Sequence, residues 1–239
     1  MAYQAIFKRF EIKYMLSREQ KEIVLKAMAP YMALDKYGRT TIRNIYYDTD
    51  NYLLIRRSIE KPIYKEKLRI RSYQQANKDD PVFVELKKKF DDIVYKRRIS
   101  LPQECAMEWI KTGMYPFEKC QISNEIDYCI EHYKTLKPAV FLSYEREAYY
   151  DINGSDFRVT LDENIISRRE ELSLEKDVWG TTLLDEEYTL MEIKTSGGMP
   201  LWMTKVLTDN HIFKASFSKY GNVYLTTILN ENKGGILYA

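Results

Sequence analysis

The sequence predicts an α+β fold: a closed or nearly closed antiparallel β-barrel with a basic lumen, covered by helices. Several predicted strands alternate between an apolar and a basic face, because successive side chains in a strand point to opposite sides of a sheet. Amphipathic helical segments lie between them and could cover the apolar faces. The 239 residues contain no linker, repeat or low-complexity tract, so we expect a single domain over residues 1–239.

The strands are predicted from alternation of apolar and polar residues and from the turns that bound them. One such turn is Asn77-Lys78-Asp79-Asp80-Pro81, which combines Asn, Asp and Pro, three residue types that favour turns. The predicted strands are Ile6–Leu16, Thr40–Asp48, Lys65–Tyr73, Val82–Lys89, Ile93–Ser100, Ala139–Tyr150, Phe157–Asp162 and Tyr188–Lys194.

The helices are predicted from capping residues and from apolar spacing. Ser17 and Gln20 form a capping box that begins the first helix, and residues 52–58 form a short second helix. Residues 102–135 carry apolar side chains at helical spacing, which we interpret as core packing. Pro200 stands at the first turn of the last predicted helix, where its missing N–H costs nothing.

The polar faces of these strands consist mostly of Lys and Arg. An ordinary solvent-facing strand carries a mixture of polar residues, whereas here two or three cations often share one strand. If the strands close into a barrel, these cations repel one another in its lumen unless a polyanion binds there. The cations on these faces are Arg9, Lys13, Lys67, Arg69, Arg71, Lys87, Lys89, Lys96, Arg98, Arg146, Arg158 and Lys194.

Carboxylates on the same faces have two possible roles. As counter-ions they would hold the cations in place, and as metal ligands they would hold Mg²⁺ or Mn²⁺ against phosphate oxygens. We expect at least one to bind a metal, because phosphoryl transfer on a long polyanion needs a cation to neutralise developing charge. The carboxylates are Glu11, Glu85, Asp162 and Glu192.

Bulk composition limits the partners and the location of the protein. The formal net charge is only +2, which argues against a generally basic surface that binds nucleic acid. The three cysteines have neither disulfide nor metal-site spacing, which is typical of a reducing compartment. No apolar run is long enough to span a membrane and no signal-peptide pattern is present. We therefore expect a cytoplasmic protein.

Short motifs with basic and acidic positions follow one another along nearly the whole chain. They are Phe10-Glu11-Ile12-Lys13-Tyr14, Ile45-Tyr46-Tyr47-Asp48-Thr49, Lys67-Leu68-Arg69-Ile70-Arg71, Val82-Phe83-Val84-Glu85-Leu86-Lys87, Tyr144-Glu145-Arg146, Arg158-Val159-Thr160-Leu161-Asp162, Leu190-Met191-Glu192-Ile193-Lys194 and Phe217-Ser218-Lys219-Tyr220. In this order they resemble the polyphosphate polymerase domain of the vacuolar transporter chaperone (VTC) complex, within the CYTH-like triphosphate tunnel metalloenzymes.

This resemblance implies transfer of the γ-phosphoryl group of ATP to a growing polyphosphate chain inside a basic tunnel, with Mn²⁺ or Mg²⁺. The implied phosphate-binding cations are Lys13, Arg57, Arg69, Arg71, Lys87, Lys96, Arg146, Arg158 and Lys219. Arg56 is an equal candidate for the position given to Arg57. Tyr144, Ser218 and Lys194 complete the candidate substrate-binding set. Glu192 is the implied metal ligand, with Glu85 and Glu11 as further candidates.

Two departures from the family bear on function. Arg9 replaces the first Glu of the Glu-x-Glu-x-Lys motif of the wider group, which favours a polymerase over a hydrolase that needs two metals. We expect this protein to lack the phosphate-sensing domain and the membrane helices of the eukaryotic polymerase, so we expect export to need a separate membrane partner. Two alternatives stay open: a hydrolase of triphosphate or short-chain polyphosphate, and a non-catalytic protein that binds polyphosphate.

Overall fold

The computed structural model of the chain describes residues 6–7, 10–91 and 93–230. Within these ranges, eleven strands form one antiparallel sheet and helices pack against it, which confirms the predicted α+β class. The strands are β1 Ile6–Phe7, β2 Phe10–Ser17, β3 Met32–Leu34, β4 Thr40–Asp48, β5 Tyr64–Tyr73, β6 Pro81–Phe90, β7 Ile93–Pro102, β8 Lys137–Asp151, β9 Arg158–Arg168, β10 Thr181–Thr182 and β11 Tyr188–Thr195. The helices are α1 Arg18–Met28, α2 Leu53–Ile59, α3 Gln103–Thr112, α4 Gln121–Tyr133, α5 Leu201–Asp209 and α6 Lys219–Val223, which continues as a π-helical segment, Tyr224–Ile228.

The sheet curls until its two ends approach each other. Its strand order is β1-β7-β6-β5-β4-β8-β9-β11-β2, with β3 paired to β8 and β10 paired to β9. Phe7 in β1 and Phe10 in β2 lie at opposite ends of this order, yet three residues of chain span at most about 11 Å. No ladder between described residues joins β2 to β1 or β7, so the sheet is not closed and the predicted barrel is approximate.

All eight predicted strands occur, with some differences at their ends. The first corresponds to β1 and β2, and Arg9, which the sequence places on its basic face, lies outside the described residues. β9 runs to Arg168 rather than ending at Asp162, because Glu163 and Asn164 form an irregularity within the strand and not a turn. β3 and β10 were not predicted, since strands of three and two residues show no periodicity.

Helices cover the apolar outer face of the sheet, as predicted. On one side, α3 and α4 place Trp109 and Ile126 against Leu68, Ile70 and Val84. On the other side, α1 and α5 bury the apolar positions of β2, β9 and β11, namely Leu16, Val159, Leu161, Met191 and Ile193. Among the described helices, none has the length and apolar character needed to cross a lipid bilayer.

The inner face is basic over only part of its area. Ile42 and Leu190 share the inner face with Tyr144 and Asp162, because residues paired directly across an antiparallel ladder point to the same side. These apolar residues pack against Tyr220, Val223 and Ile228 of α6 and the π-helical segment. The helix α6 therefore fills part of the interior, and the predicted basic lumen is confined to the rest of the inner face.

Candidate active site

The charged part of the inner face lines a cavity of about 780 Å³, a size typical of small-molecule sites. Twelve of the sequence-predicted site residues line it: Glu11, Lys13, Arg69, Arg71, Lys87, Lys96, Tyr144, Arg146, Glu192, Lys194, Ser218 and Lys219. Ser218 and Lys219 come from the start of α6, and the other ten come from strands at both ends of the sheet order, which the curling of the sheet brings together.

Four predicted residues lie outside the lining. Glu85 is 1% exposed and lies directly behind the wall, in contact with lining cations. Arg158 pairs with Lys194 and so lies on the inner face, but it is exposed at the first residue of β9. Arg56 and Arg57 are exposed on α2 and do not border the cavity. Side chains of a helix do not alternate between two faces, so the sequence could not show whether Arg56 or Arg57 faces the lumen.

A row of three lysines crosses the cavity wall. The register of β5, β6 and β7 pairs Lys67 with Lys87 and Lys87 with Lys96. Like charges directly opposite each other in a sheet are destabilising. Lys87 lies 3.1 Å from a Glu11 carboxylate oxygen and Lys96 lies 2.7 Å from a Glu85 oxygen. Burial and the neighbouring arginines lower the pKa of Lys96 to about 8, although Glu85 opposes this effect.

Lys67 is the exception in this row. Its ammonium group donates a hydrogen bond to Ser218 Oγ at 3.2 Å, and no carboxylate of the described chain pairs with it. Burial and the positive charges of Lys87 and Lys13 lower the pKa of Lys67 to about 7. Ser218 in turn caps α6 by accepting a hydrogen bond from the Gly221 amide, so Lys67 links β5 to the C-terminal helix.

Glu85 is the centre of a cluster of cations that line the cavity. Arg69 Nη2 and Lys96 Nζ each lie 2.7 Å from one of its two carboxylate oxygens, and Arg98 lies 3.6 Å away. Burial alone would raise the pKa of Glu85, but Arg69, Arg71 and Lys96 hold it well below its usual range. Because cations contact both oxygens, Glu85 acts as a counter-ion in this structure.

Asp162 organises a second cluster on the opposite wall. It is fully buried and accepts hydrogen bonds from Arg146 Nε at 2.5 Å and Nη2 at 2.6 Å, and another from Lys219. Burial would raise the pKa of Asp162, but Arg146 and Lys219 lower it. The bidentate geometry fixes the plane of the Arg146 guanidinium group.

Tyr144 joins the two clusters. Its hydroxyl accepts a hydrogen bond from Arg71 Nη2 at 3.1 Å, and its ring centre lies 5.0 Å from the Arg146 guanidinium carbon and 4.5 Å from Lys219 Nζ. Burial would raise the pKa of Tyr144, but these three cations lower it. The same Arg71 guanidinium donates to Asn44 Oδ1 at 2.9 Å, so its position is fixed from two sides.

Glu192 is the carboxylate best placed to hold a metal. It lines the cavity, with Lys194, Lys13, Arg146 and Lys219 at distances from 3.2 to 3.6 Å. Burial would raise the pKa of Glu192, but these cations, Lys219 above all, hold it well below its usual range, so the carboxylate is ionised at neutral pH.

The donor set fits one mode of metal binding. No group of three His, Cys, Asp or Glu side chains forms a metal cluster within the described ranges. Mg²⁺ and similar ions, however, are commonly held by one or two carboxylates together with substrate phosphates and water. Glu192 and Glu11 suit this mode, because both line the cavity and Lys87 lowers the pKa of Glu11 to about 2 against the effect of burial.

Sequence reasoning did not single out several lining residues. Alternation placed Lys67 and Arg98 on the predicted basic faces, but the family resemblance did not include them in the candidate site set. Tyr46 lies on the inner face of β4 and accepts a hydrogen bond from Arg69 Nη1 at 2.8 Å. Gln121 belongs to α4, whose place beside the cavity depends on tertiary packing, and no sequence signal indicates it.

The VTC domain model matches residues 8–228, and no curated protein matches the sequence. Similar solved structures include candidate adenylate cyclases from Bacillus halodurans (15% identity, TM-score 0.56, covering 90% of this chain and 96% of that one) and Vibrio parahaemolyticus (12%, 0.53, 92% and 99%). Another is a candidate adenylyl cyclase from Hippeastrum, described as having a dominant triphosphatase activity (16%, 0.54, 90% and 94%). At sequence identities this low, the structural similarity shows only that the fold is shared. The family match covers most of the sequence, and the chain therefore belongs to the VTC domain family.

Proposed function

We propose that this protein is a polyphosphate polymerase that transfers the γ-phosphoryl group of ATP to the end of an inorganic polyphosphate chain. The observation that carries the proposal is the excess of positive charge in the cavity. Ten cationic side chains line the cavity, not counting Arg97, which pairs with Glu125. Two carboxylates, Glu11 and Glu192, also line it, and two more, Glu85 and Asp162, contact the lining cations from behind. A phosphate polymer supplies regularly spaced negative charge that several cations can bind at once.

The proposed reaction needs no protein nucleophile. An oxygen of the terminal phosphate of the chain bonds to the γ-phosphorus of ATP, and the bond from that phosphorus to the β–γ bridging oxygen breaks. The bridging oxygen leaves as part of ADP, and the chain gains one phosphate. Arg69, Arg71 and Arg146 would bind non-bridging oxygens and align the two reactants in line. Their guanidinium groups are already held by Glu85, Tyr144 and Asp162, so little reorganisation is required.

The carboxylates that fit a divalent metal, Glu192 and Glu11, lie on neighbouring strands. A bound Mn²⁺ or Mg²⁺ would neutralise negative charge that develops on the phosphate oxygens. Lys13 and Lys194 pair in register with Glu192 and Glu11, respectively, and keep both carboxylates on the cavity wall.

The test is incubation of the protein with ATP and Mn²⁺, followed by analysis of products. Long-chain polyphosphate on a gel together with ADP supports the polymerase. Arg69→Ala should abolish both products, whereas Lys205→Ala, at an exposed residue of α5 that pairs with Asp209, should leave them unchanged. Tight binding of polyphosphate without release of ADP would instead indicate a non-catalytic binding protein.

A second candidate is hydrolysis of triphosphate or short-chain polyphosphate on the same scaffold. The fold similarity to the Hippeastrum protein, described as a triphosphatase, favours it. In that reaction water replaces the chain end as the attacking group, and the same cations bind the phosphates. Release of orthophosphate alone in the incubation above would favour this activity.

A further inference from the structure

Asp48 is a fully buried carboxylate at the end of β4 that does not line the cavity. It belongs to the sequence motif Ile45-Tyr46-Tyr47-Asp48-Thr49, of which only Tyr46 borders the cavity. Each Asp48 oxygen accepts two hydrogen bonds, and all four donors are uncharged groups. Burial of a carboxylate is costly unless its oxygens are hydrogen-bonded, so the folded state is stabilised by keeping these four donors against Asp48.

Three of the donors come from the segment that begins α2. Asp48 Oδ1 accepts hydrogen bonds from the Thr49 and Leu54 amides, both at 2.9 Å, and Oδ2 accepts one from the Ile55 amide at 3.0 Å. The first amides of a helix have no partner within the helix, and the N-cap residue of α2, Tyr52, provides no side-chain cap. Asp48 therefore anchors the start of α2 to the end of β4.

The fourth donor belongs to a different helix. The Tyr220 hydroxyl of α6 donates a hydrogen bond to Asp48 Oδ2 at 2.9 Å, across 172 positions of sequence. The two helices also touch through Tyr52 and Tyr224, whose ring centres lie 5.8 Å apart. Because α6 has only five residues, its position depends on tertiary contacts of this kind and not on its own helical stability. Asp48 thus joins β4, α2 and α6.

The start of α6 forms part of the cavity wall. Its N-cap Ser218 and its first residue Lys219 both line the cavity, and Tyr220 follows them directly. The Tyr220 ring centre lies 5.0 Å from that of Tyr46, whose hydroxyl accepts a hydrogen bond from Arg69. A shift of α6 would therefore displace the Lys219 ammonium group and change the packing beside Arg69.

We propose that Asp48 is a positioning residue of the phosphate site: through Tyr220 it holds α6, and with it Lys219, on the cavity wall. This inference rests on the proposed function, in which the cations of that wall bind phosphate. Asp48 contacts no reacting atom, and its effect on the reaction is geometric. A displacement of about 1 Å can lower a rate about 100-fold, so a contact outside the cavity can control turnover.

A double-mutant cycle of Asp48→Asn and Tyr220→Phe tests the coupling. Turnover of ATP with Mn²⁺ and affinity for tripolyphosphate are measured with the full chain, and urea unfolding shows that each variant is folded under the assay conditions. Each single variant should weaken tripolyphosphate binding about tenfold and lower kcat/KM for ATP by at least as much. The double variant should lose no more than the weaker single variant, because both changes break one hydrogen bond.

Tyr47→Phe is the matched control. Tyr47 is a buried tyrosine of the same motif, but its hydroxyl lies 3.2 Å from Met107 Sδ in the core under α3 and α4. Its loss should leave both turnover and tripolyphosphate affinity unchanged. A merely structural role of Asp48 would give losses that multiply in the double variant, because loss of the α2 anchor and loss of the Tyr220 hydroxyl would then act independently.

The outcomes separate this inference from the proposed function. Multiplying losses refute the positioning role. If Asp48→Asn does not fold, Tyr220→Phe decides alone, and unchanged turnover and tripolyphosphate affinity in that variant refute it. In both cases turnover by the wild type leaves the proposed function standing. If the wild type binds tripolyphosphate but does not turn over ATP, the proposed function is refuted, and the cycle in tripolyphosphate affinity still tests Asp48. If it binds neither, both fail.

Discussion

Substitution of Lys67 by Met should stabilise the unliganded protein. The change removes the ammonium group and keeps a long unbranched side chain on β5. Lys67 faces Lys87 across the ladder and has no described carboxylate partner, so its charge is held in a cationic cavity. The pKa of Lys67 is lowered from 10.5 to about 7, with burial as the largest cause and the neighbouring lysines next.

The size of the effect follows from this shift. Each pKa unit corresponds to about 1.4 kcal/mol, so the full shift corresponds to about 5 kcal/mol against the protonated form. The Lys67 side chain is only partly buried and lines the cavity, where water screens the repulsion. We therefore expect Lys67→Met to raise the free energy of unfolding by about half of this value, or about 2 to 3 kcal/mol.

The stabilisation should depend on pH with a defined sign. The folded-state pKa of Lys67 lies below its unfolded-state value, so between pH about 7 and about 10 the unfolded chain binds more protons. The free energy of unfolding of the wild type should therefore rise with pH in this window. Lys67→Met lacks that rise, and its advantage should be largest at or below about pH 7 and disappear towards pH 10.

Urea unfolding at about pH 6.5 and about pH 9 measures the effect. Lys205→Met is the matched control, because Lys205 is exposed and paired with Asp209, and it should change stability little at either pH. Saturating tripolyphosphate should cancel the advantage of Lys67→Met, since the anion favours protonated Lys67. A variant no more stable than the wild type at the lower pH would show that the cavity does not penalise this charge.

Three further outcomes follow from the same geometry. Asp162→Asn should lower the free energy of unfolding by about 3 to 5 kcal/mol, because it leaves Arg146 and Lys219 without their fully buried partner, and urea unfolding measures this. Glu192→Gln should reduce turnover of ATP most at limiting Mn²⁺, and failure of excess Mn²⁺ to restore any activity would contradict metal binding by Glu192. Tripolyphosphate should raise the melting temperature of the wild type, and added salt should reduce this shift, because the interaction is electrostatic.

The sequence was sufficient to predict which strand residues face inward. Arg69 and Arg71 alternate with Leu68 and Ile70, and the structure places the first pair on the cavity wall and the second in the core under α3 and α4. Alternation succeeds here because one face of each strand is buried by helices, and a shift of one residue would reverse both faces.

Long-range pairing set the limit of the prediction. The bidentate contact of Arg146 with Asp162 depends on the register of β8 with β9, which includes an irregularity between Ser143 and Glu145. No local pattern determines that register. In the same way, the apolar segment after Val223 could have packed outside the sheet, and only the apolar inner positions around Leu190 show why it packs inside.

The distribution of counter-ions indicates where an anion enters the cavity. Lys219, with a side chain 8% exposed, contacts two carboxylates, whereas Lys87 and Lys96, each 40% exposed, contact one each. A deeply buried cation must be compensated because water cannot reach it, while one near the opening is partly hydrated. Lys67 stands beside these exposed lysines with no described carboxylate at all. A network built only for stability would pair every cation, so, under the proposed function, we expect a phosphate chain to enter from the side of this under-compensated lysine row.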